Sequence, residues 1–524
     1  MASSASKGLS MSHSGATYLE LIERGARQNA DRIAVIFGDE QQTFAEVNAR
    51  ANQFAHAFAS LGASPRTRVA LLVNNGLLSI PLDFGCVKAG VNRVPLNSRL
   101  SAQEHVRMLQ DSQCSVLIFG PDLVERATEI SAALPDLRCF GLGTEITQGG
   151  DFLSVAGQQP TEAPQTVIEP HDIVLTLYTS GTTGVLKAAQ HTQASYAGIC
   201  RNVLLNLFPV LPTDSMLHAA SMIHASGTFV LPFWLRGAKT VVLPGFAPAA
   251  FLEAIERHRV TAVNLVPTML QMLLESPDLE NRDLSSIERI IYGASPMPRS
   301  VINRAIAKFG QGRFWQYYGQ TEAPLCLTVL RPEDHHGDLL GACGRPALDV
   351  EIRLVDEQGR DVRPGEPGEI VVRGPMTVAG YFNAPSLTSE TFREDGWVHT
   401  RDVGVFDEGG FLHLRDRTSD MIISGGYNVY PREVEDALLT HPAVLECAVV
   451  GAPDEKWVEA VTAFVILRPG QAAQESELIA FASSKIASYK KPHRIVFTQD
   501  IPKTAVGKLD RKVLRNRLKQ TPAS

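Results

Sequence analysis

No two of the seven cysteines stand as a Cys-x-x-Cys pair; they are scattered at 86, 114, 139, 200, 326, 343 and 447, which gives neither a zinc site nor a disulfide framework and fits a reducing cytoplasm. Long apolar runs are also missing. No uninterrupted stretch approaches the ~20 residues of a membrane-spanning helix, so an integral membrane segment is not expected, although peripheral contact with a membrane stays open. Basic blocks and basic-aromatic interleaving are absent as well, and 49 basic against 56 acidic residues leave a net charge of −7, which argues against nucleic acid as a partner. Met1 to Ser14 lack the apolar centre of a signal peptide or anchor and read as a disordered leader. What remains is a globular chain acting on small molecules. Its 524 residues, 44% of them apolar, are too many for one core, so at least two domains are expected.

The hydrophobic pattern predicts an alternation of helix and strand. Phe44, Val47, Ala51, Phe54, Phe58 and Leu61 fall on one helical face, opened by a Thr43/Glu46 capping box and closed by Gly62. A strand over 69–73, a helix ending near Ala89-Gly90, a second capping box at Ser101/Glu104 and a strand over 116–119 follow. The alternation resumes through a helix at 249–258, strands at 260–265 and 289–292, a helix at 299–309 and a strand at 314–318, as in sheets covered by helices. From about Val350 the turns at 356–359, 364–368 and 407–410 predict antiparallel hairpins. Beyond Arg417 a mixed segment is expected, helical at 431–439 and 475–487 and extended at 444–450 and 460–467. The fold class expected is therefore α/β: a large domain over 1–416, made of two α/β lobes and a small β-rich unit, and a mobile α+β domain over 417–524.

Between the apolar stretch Ile173–Leu177 and Lys187 runs Tyr-Thr-Ser-Gly-Thr-Thr-Gly-Val-Leu-Lys. The glycines Gly181 and Gly184 let backbone N–H groups approach phosphate oxygens, Thr179, Ser180, Thr182 and Thr183 add hydroxyl donors, and Lys187 adds a cation. A nucleoside triphosphate suits such a loop. Its spacing differs from the Gly-x4-Gly-Lys-Ser/Thr pattern, and a plain solvated linker is the alternative.

Further motifs stand in order along the chain: Gly293-Ala294-Ser295-Pro296, Tyr317-Tyr318-Gly319-Gln320-Thr321-Glu322, the stretch Trp397 to Gly404 around Thr400-Arg401-Asp402, and Asp416-Arg417-Thr418-Ser419-Asp420. After them come the string from Ser424 to Glu435, with Gly425, Gly426 and Tyr427, and Pro502 to Lys508. Together they resemble the superfamily of acyl/aryl-CoA ligases, adenylation domains and luciferases, over nearly the whole chain. The resemblance implies an enzyme that joins a carboxylic acid to ATP as an acyl-adenylate and then makes its CoA thioester, with ATP, Mg2+ and coenzyme A as substrates and activator.

By the same resemblance, Lys508 would bridge the substrate carboxylate and the phosphate, Thr321 would contact the α-phosphate, and Glu322 would bind magnesium. Asp402 would accept the ribose hydroxyls, and Arg417 would touch ribose or phosphate. Gly293, Ala294, Ser295, Tyr318 and Gly319 would enclose adenine. Gly425, Gly426 and Tyr427 would admit the pantetheine arm, and His224 with Gly227 would border the acyl pocket, for which the stretches 222–227, 266–270 and 323–325 are candidates. Each has a plainer reading: turn chemistry for the glycines and Asp402, a surface ion pair for Arg417, a buried core histidine for His224 and a solvated tail lysine for Lys508. The string after Ser424, followed by Tyr489-Lys490-Lys491-Pro492, looks more like free-standing CoA ligases than peptide-synthetase modules, and no carrier domain is expected after Ser524.

Leu186 and Ala188 depart from the family pattern, which has proline before the lysine and glycine after it. An alanine forced into a glycine-only conformation would cost about 1 kcal/mol or more. A ligase weak in adenylation that takes acyl-adenylate from elsewhere is therefore one alternative. A non-catalytic nucleotide- or acyl-binding protein and a luciferase-type oxidase are two others. Ser419 and Val458 also depart, the latter replacing a glycine. The pocket candidates are largely apolar, which suits a hydrophobic acid, aliphatic, aromatic or terpenoid alike, and a homo-oligomer stays open.

Overall fold

The computed structural model describes residues 15–147, 149–179, 186–393, 395–417, 420–424, 427–454, 456–504 and 509–520, with the backbone alone at 417, 519 and 520. The predicted leader lies outside them.

Two mixed sheets form the centre of the large domain. In the first, the strands Arg68–Leu72, Asn92–Pro95, Val116–Phe119, Arg138–Gly141 and Gly149–Asp151 pair in parallel, and Ile173–Thr179 and Lys187–Thr192 close one edge as an antiparallel pair. In the second, Ser215–His218, Lys239–Val242, Ala262–Leu265, Arg289–Tyr292 and Phe314–Gln320 are parallel neighbours, and Ala323–Leu330 turns back antiparallel. The hairpin Ile33–Phe37 and Glu40–Thr43 joins this second sheet through Lys239–Val242, a pairing of residues some two hundred apart that local pattern does not announce.

Local chemistry explains the helices. Thr43 and Glu46 exchange bonds as expected, Glu46 N donating to Thr43 Oγ1 (3.2 Å) and Thr43 N to Glu46 Oε2 (2.7 Å), and the helix runs Phe44–Ser60. Its inward Phe54 and Phe58 pack on Phe152 at centroid separations of 5.3 and 4.8 Å. Burying each ring contributes roughly 1.5–3 kcal/mol. The Ser101/Glu104 box opens Ala102–Ser112, and Gly90 ends Ser79–Ala89 at φ +69°.

A four-stranded antiparallel sheet follows, Glu351–Val355, Gly368–Arg373, Val398–Phe406 and Leu412–Arg417. The predicted turns at 356–359 and 364–368 both lie in the single connection between its first two strands, so they make one hairpin rather than two. Beyond it a separate C-terminal domain carries Ile422–Ser424, Tyr427–Val429, Val444–Asp454, Val458–Leu467 and Arg494–Phe497, covered by Pro431–Leu439 and Glu475–Ser483. The helix Glu475–Ser483 is shorter than the predicted 475–487: Ser484 caps it by turning its hydroxyl onto the Phe481 carbonyl at 2.7 Å. No helix among the described residues is long and apolar enough to cross a membrane.

Val458 stands where the family pattern has glycine, and its φ is +69°, in the left-handed region that a β-branched residue avoids. It is 67% exposed and opens the strand that meets Ser424. Left-handed strain costs about 1–3 kcal/mol, whereas the freedom a glycine adds to the unfolded chain costs about 0.4–1 kcal/mol. Val458→Gly is therefore expected to raise the melting temperature of the C-terminal domain by about 4 °C or more, read by scanning calorimetry. A lower value would show that Val458 has packing partners worth more than its strain.

Candidate active site

Two of the predicted nucleotide motifs lie at hairpins of the large domain. Thr179 lies opposite Lys187 in the register of the first sheet's antiparallel pair, so the segment predicted to bind phosphate is the connection between two strands, not a passage from strand to helix. Ser180, Gly181, Thr182, Thr183 and Gly184 lie outside the described residues. Ala188, by contrast, is within the strand, opposite Tyr178, buried, and its carbonyl accepts from Phe382 N at 2.8 Å. It is not among the residues with positive φ. The glycine-only conformation feared at this position is absent, because the chain is simply extended here and any small side chain fits.

Thr321 and Glu322 are the whole tip of the hairpin made by Phe314–Gln320 and Ala323–Leu330, since Gln320 pairs with Ala323. A bulge between Tyr318 and Gln320 and a left-handed Leu325 (φ +61°) supply the twist that a glycine turn would usually give. Gly319 is needed for this packing, because a Cβ there would lie 2.3 Å from the Leu325 carbonyl oxygen. Gly293 is constrained likewise: its Cβ would lie 2.6 Å from Tyr317 O and 2.9 Å from the Tyr317 ring. Ala294 beside it takes φ +66°. Small residues at these positions are thus required first by the neighbouring backbone. Ser295 follows directly in the same turn after Arg289–Tyr292.

Two hydroxyl-carboxylate contacts organise the acids. Tyr318 Oη donates to Asp402 Oδ2 at 2.7 Å, and both side chains are buried. Burial first, then the charge of Asp402, hold the Tyr318 phenol far above its ordinary pKa, so it remains a donor. Thr400 fixes the same strand by donating to Ile370 O (2.7 Å) and accepting from Asp402 N (3.1 Å). Between them Arg401 sits at φ +60°, its N–H held by Glu369 Oε1 at 3.1 Å. Arg417 lies opposite Asp402 in the strand register; its side chain is outside the described structure.

Glu322 accepts from Tyr381 Oη through Oε1 at 2.6 Å. Tyr381 lies in none of the motifs read from the sequence, and its place in a segment bonded to the strand Lys187–Thr192 is what reveals it. Among the described residues no three His, Cys, Asp or Glu gather as a metal cage. One carboxylate with one oxygen engaged suits Mg2+, which keeps several waters and takes the rest of its ligands from phosphates. Glu322 is the residue that would hold it.

Met222, Ile223 and Gly227 form one wall of a crevice between the lobes, opposite Ile80, Phe84 and Leu175. The buried Arg93 and its Asp83 partner (2.5 Å) border it. Neither 266–270 nor 323–325 lines this crevice. Gly227 is close-packed, since a Cβ would lie 1.9 Å from Met222 O. His224 caps the short helix Ala225–Thr228, and its carbonyl accepts from Gly227 N at 3.0 Å.

On the C-terminal domain, Tyr427 is open to solvent and packs on Tyr489 at 4.7 Å. Arg415 and Lys490, the latter bonded to Glu433 at 2.7 and 2.8 Å, border a second crevice beside the pair. Gly425, Gly426 and Lys508 lie outside the described residues. Their flanks are fixed: Ser424 opposes Tyr427, and Lys503 bridges Leu509.

Comparison with known proteins supplies the context. A family model described as "AMP-binding enzyme" matches residues 22–382, and one described as "AMP-binding enzyme C-terminal domain" matches 433–508. The chain is 37% identical over 513 residues to the medium/long-chain-fatty-acid–CoA ligase FadD8 of Mycobacterium tuberculosis, covering 95% of this chain and 89% of that protein. The amide bond synthetase McbA from Marinactinospora thermotolerans superposes with a TM-score of 0.88 at 31% identity, over 95% of this chain and 99% of that one. The o-succinylbenzoate CoA synthetase of Bacillus subtilis, in complex with its acyl-adenylate intermediate OSB-AMP, does so with a TM-score of 0.84 at 31% identity, over 96% and 98%.

Proposed function

Because this chain belongs to the AMP-binding enzyme family, in its main part and its C-terminal domain alike, we propose that it is an ATP-dependent acyl- or aryl-CoA ligase acting on a hydrophobic carboxylic acid. In the first step a carboxylate oxygen of the acid bonds to the α-phosphorus of ATP as the bond to the β-phosphate oxygen breaks, releasing pyrophosphate. In the second the CoA thiolate attacks the acyl carbon and AMP leaves with the bonding pair. Both partners of the first step are anionic, so cations must neutralise their approach. Magnesium, when bound, supplies charge neutralisation at the phosphates.

The roles of this chain's residues follow. Lys187, with the hydroxyls of Thr179 to Thr183, holds the β- and γ-phosphates; Thr321 contacts the α-phosphate; Glu322 holds the metal; Lys508 bridges carboxylate and phosphate. Asp402 orients the ribose and Arg417 stands beside it. Adenine lies against Gly293 to Ser295 and Tyr318-Gly319. For the thioester step the C-terminal domain, taken from residue 417, turns so that Gly425 and Gly426 replace Lys508 and Tyr427 meets CoA. His224 and Gly227 border the acyl group, which then extends toward the crevice beside Met222.

The observation that supports this reading most is the pairing of both nucleotide-side acids with tyrosine hydroxyls, Asp402 with Tyr318 and Glu322 with Tyr381, within a chain of this family. Such contacts hold carboxylates in place and aimed. Incubating the enzyme with a panel of fatty and aromatic acids, ATP, Mg2+ and CoA is expected to give a thioester and AMP by mass spectrometry. A thioester from supplied acyl-adenylate but none from acid and ATP would favour the adenylation-deficient reading instead. The extended backbone at Ala188 removes one of that reading's two motives. Ligand binding without product from either source would leave a non-catalytic protein.

A further inference from the structure

We infer that Tyr381 is the positioning residue that aims Glu322 and couples it to the strand bearing Lys187. The inference rests on the reading of Glu322 as the magnesium carboxylate.

Three observations converge on this side chain. Its hydroxyl donates to Glu322 Oε1 at 2.6 Å, a short bond to a charged acceptor. The donor is itself immobilised: the tyrosine is 7% exposed, its ring packs edge-on against Phe392 at 5.5 Å, and its backbone N donates to Thr388 Oγ1 at 3.0 Å. The segment around it is zipped to the phosphate strand. Ala379 N donates to Gln190 O (2.8 Å), Gln190 N to Gly380 O (2.9 Å) and Phe382 N to Ala188 O (2.8 Å), with Ala189 bridged to Tyr381. At the other end Val378 N donates to Glu322 O at 3.0 Å. The segment thus touches Glu322 twice, once at its backbone and once at its carboxylate.

The consequence is mechanical. Glu322 sits at a two-residue hairpin tip, where a side chain has several rotamers within reach. One oxygen taken by a fixed phenol selects among them and leaves Oε2 as the open position. Because the phenol's own segment is bonded to the strand that begins at Lys187, the metal carboxylate and the phosphate-side cation share one frame.

The test compares Tyr381→Phe with Glu322→Gln in the full chain. Binding of Mn2+ in the presence of ATP, followed by electron paramagnetic resonance, is the readout apart from activity, with the Mg2+ dependence of adenylate formation beside it. Tyr381→Phe keeps the ring and its packing, so its thermal melting should stay near that of the unmodified enzyme. Its half-saturating metal concentration should rise about 10-fold, as for other groups that orient a metal ligand, and excess Mg2+ should restore the rate. A purely structural tyrosine would lower the rate without any rescue by metal, and that result overturns the inference. Glu322→Gln separates the two readings. If it leaves metal binding unchanged, the assignment of Glu322 fails; if it weakens metal binding while Tyr381→Phe does not, only the role of Tyr381 fails. Should Tyr381→Phe melt well below the unmodified enzyme, Thr388→Val, which removes the anchor of the Tyr381 backbone, must raise the metal requirement in the same direction for the inference to stand.

Discussion

Lys508→Ala is expected to lower thioester formation from acid, ATP and CoA by roughly 10²- to 10³-fold, the range found when one preorganised donor is removed from a developing anion. The same variant should convert supplied acyl-adenylate to thioester within a factor of a few of the unmodified enzyme. The asymmetry follows from the chemistry of the two steps. In the first, two anions are driven together and, on the proposed function, the Lys508 ammonium would offset their repulsion; in the second, a thiolate meets a carbonyl already activated as a mixed anhydride with AMP, a step the proposal assigns to the glycine segment instead of the lysine. Although Lys508 lies outside the described residues, its neighbourhood is fixed, because Lys503 bridges Leu509, Asp510 N donates to Pro502 O at 2.9 Å, and Lys503 pairs with Glu446 at 3.0 Å. Separate single-turnover assays with the acid and with the adenylate check the prediction. Equal losses in both would mean that the C-terminal domain does not exchange Lys508 for the glycine segment.

The second large effect is expected at Asp402. Asp402→Ala removes a two-oxygen acceptor for the ribose hydroxyls and the carboxylate that accepts from the Tyr318 hydroxyl at 2.7 Å, in a setting where both residues are 7% exposed. Hydrogen bonds to a charged group are worth about 1.5–3 kcal/mol, so the KM for ATP should rise on the order of 10- to 100-fold. Taking the carboxylate partner from a buried hydroxyl costs a further ~1–3 kcal/mol of stability, visible as a lower Tm. Asp402→Asn divides the two contributions. Its amide oxygen still accepts from Tyr318, so the Tm should return toward that of the unmodified protein, while ATP binding stays weak because the charge is gone. Calorimetric titration with ATP and a thermal melt on both variants decide the matter; Asn that restores ATP affinity would assign Asp402 a structural role only.

How much of this was readable beforehand depended on distance along the chain. The capping boxes at Thr43/Glu46 and Ser101/Glu104, the strand Arg289–Tyr292 and the helix Arg299–Phe309 are local events, decided within a few residues, and they appear where periodicity and capping put them. The site is legible only in its parts. Tyr318 and Asp402 are 84 residues apart and Tyr381 and Glu322 are 59 apart, so no local signal joins them. The same holds for Ile33–Phe37, which crosses from the chain's beginning into the second sheet. Ala188 shows the converse. Its departure from the family pattern looked like strain because a glycine suggests a special backbone, and only the pairing with Tyr178 reveals ordinary extended geometry. At Val458 the identical argument proves sound, since φ there is +69°. A missing glycine is informative only once the torsion is known.

The hairpin that carries the phosphate loop has an electrostatic consequence. In a strand-to-helix loop the aligned peptide dipoles of the helix start add roughly half a positive charge behind the phosphates. Here the strand Lys187–Thr192 intervenes, and the next helix begins only at Gln193, about 20 Å of extended chain farther on. A dipole acts within its first turn, so almost none of that charge reaches the loop. With a triphosphate held here as proposed, side-chain cations and backbone N–H groups would supply the field without that helix, and ionic strength would be felt more keenly than in proteins that lean on a helix terminus.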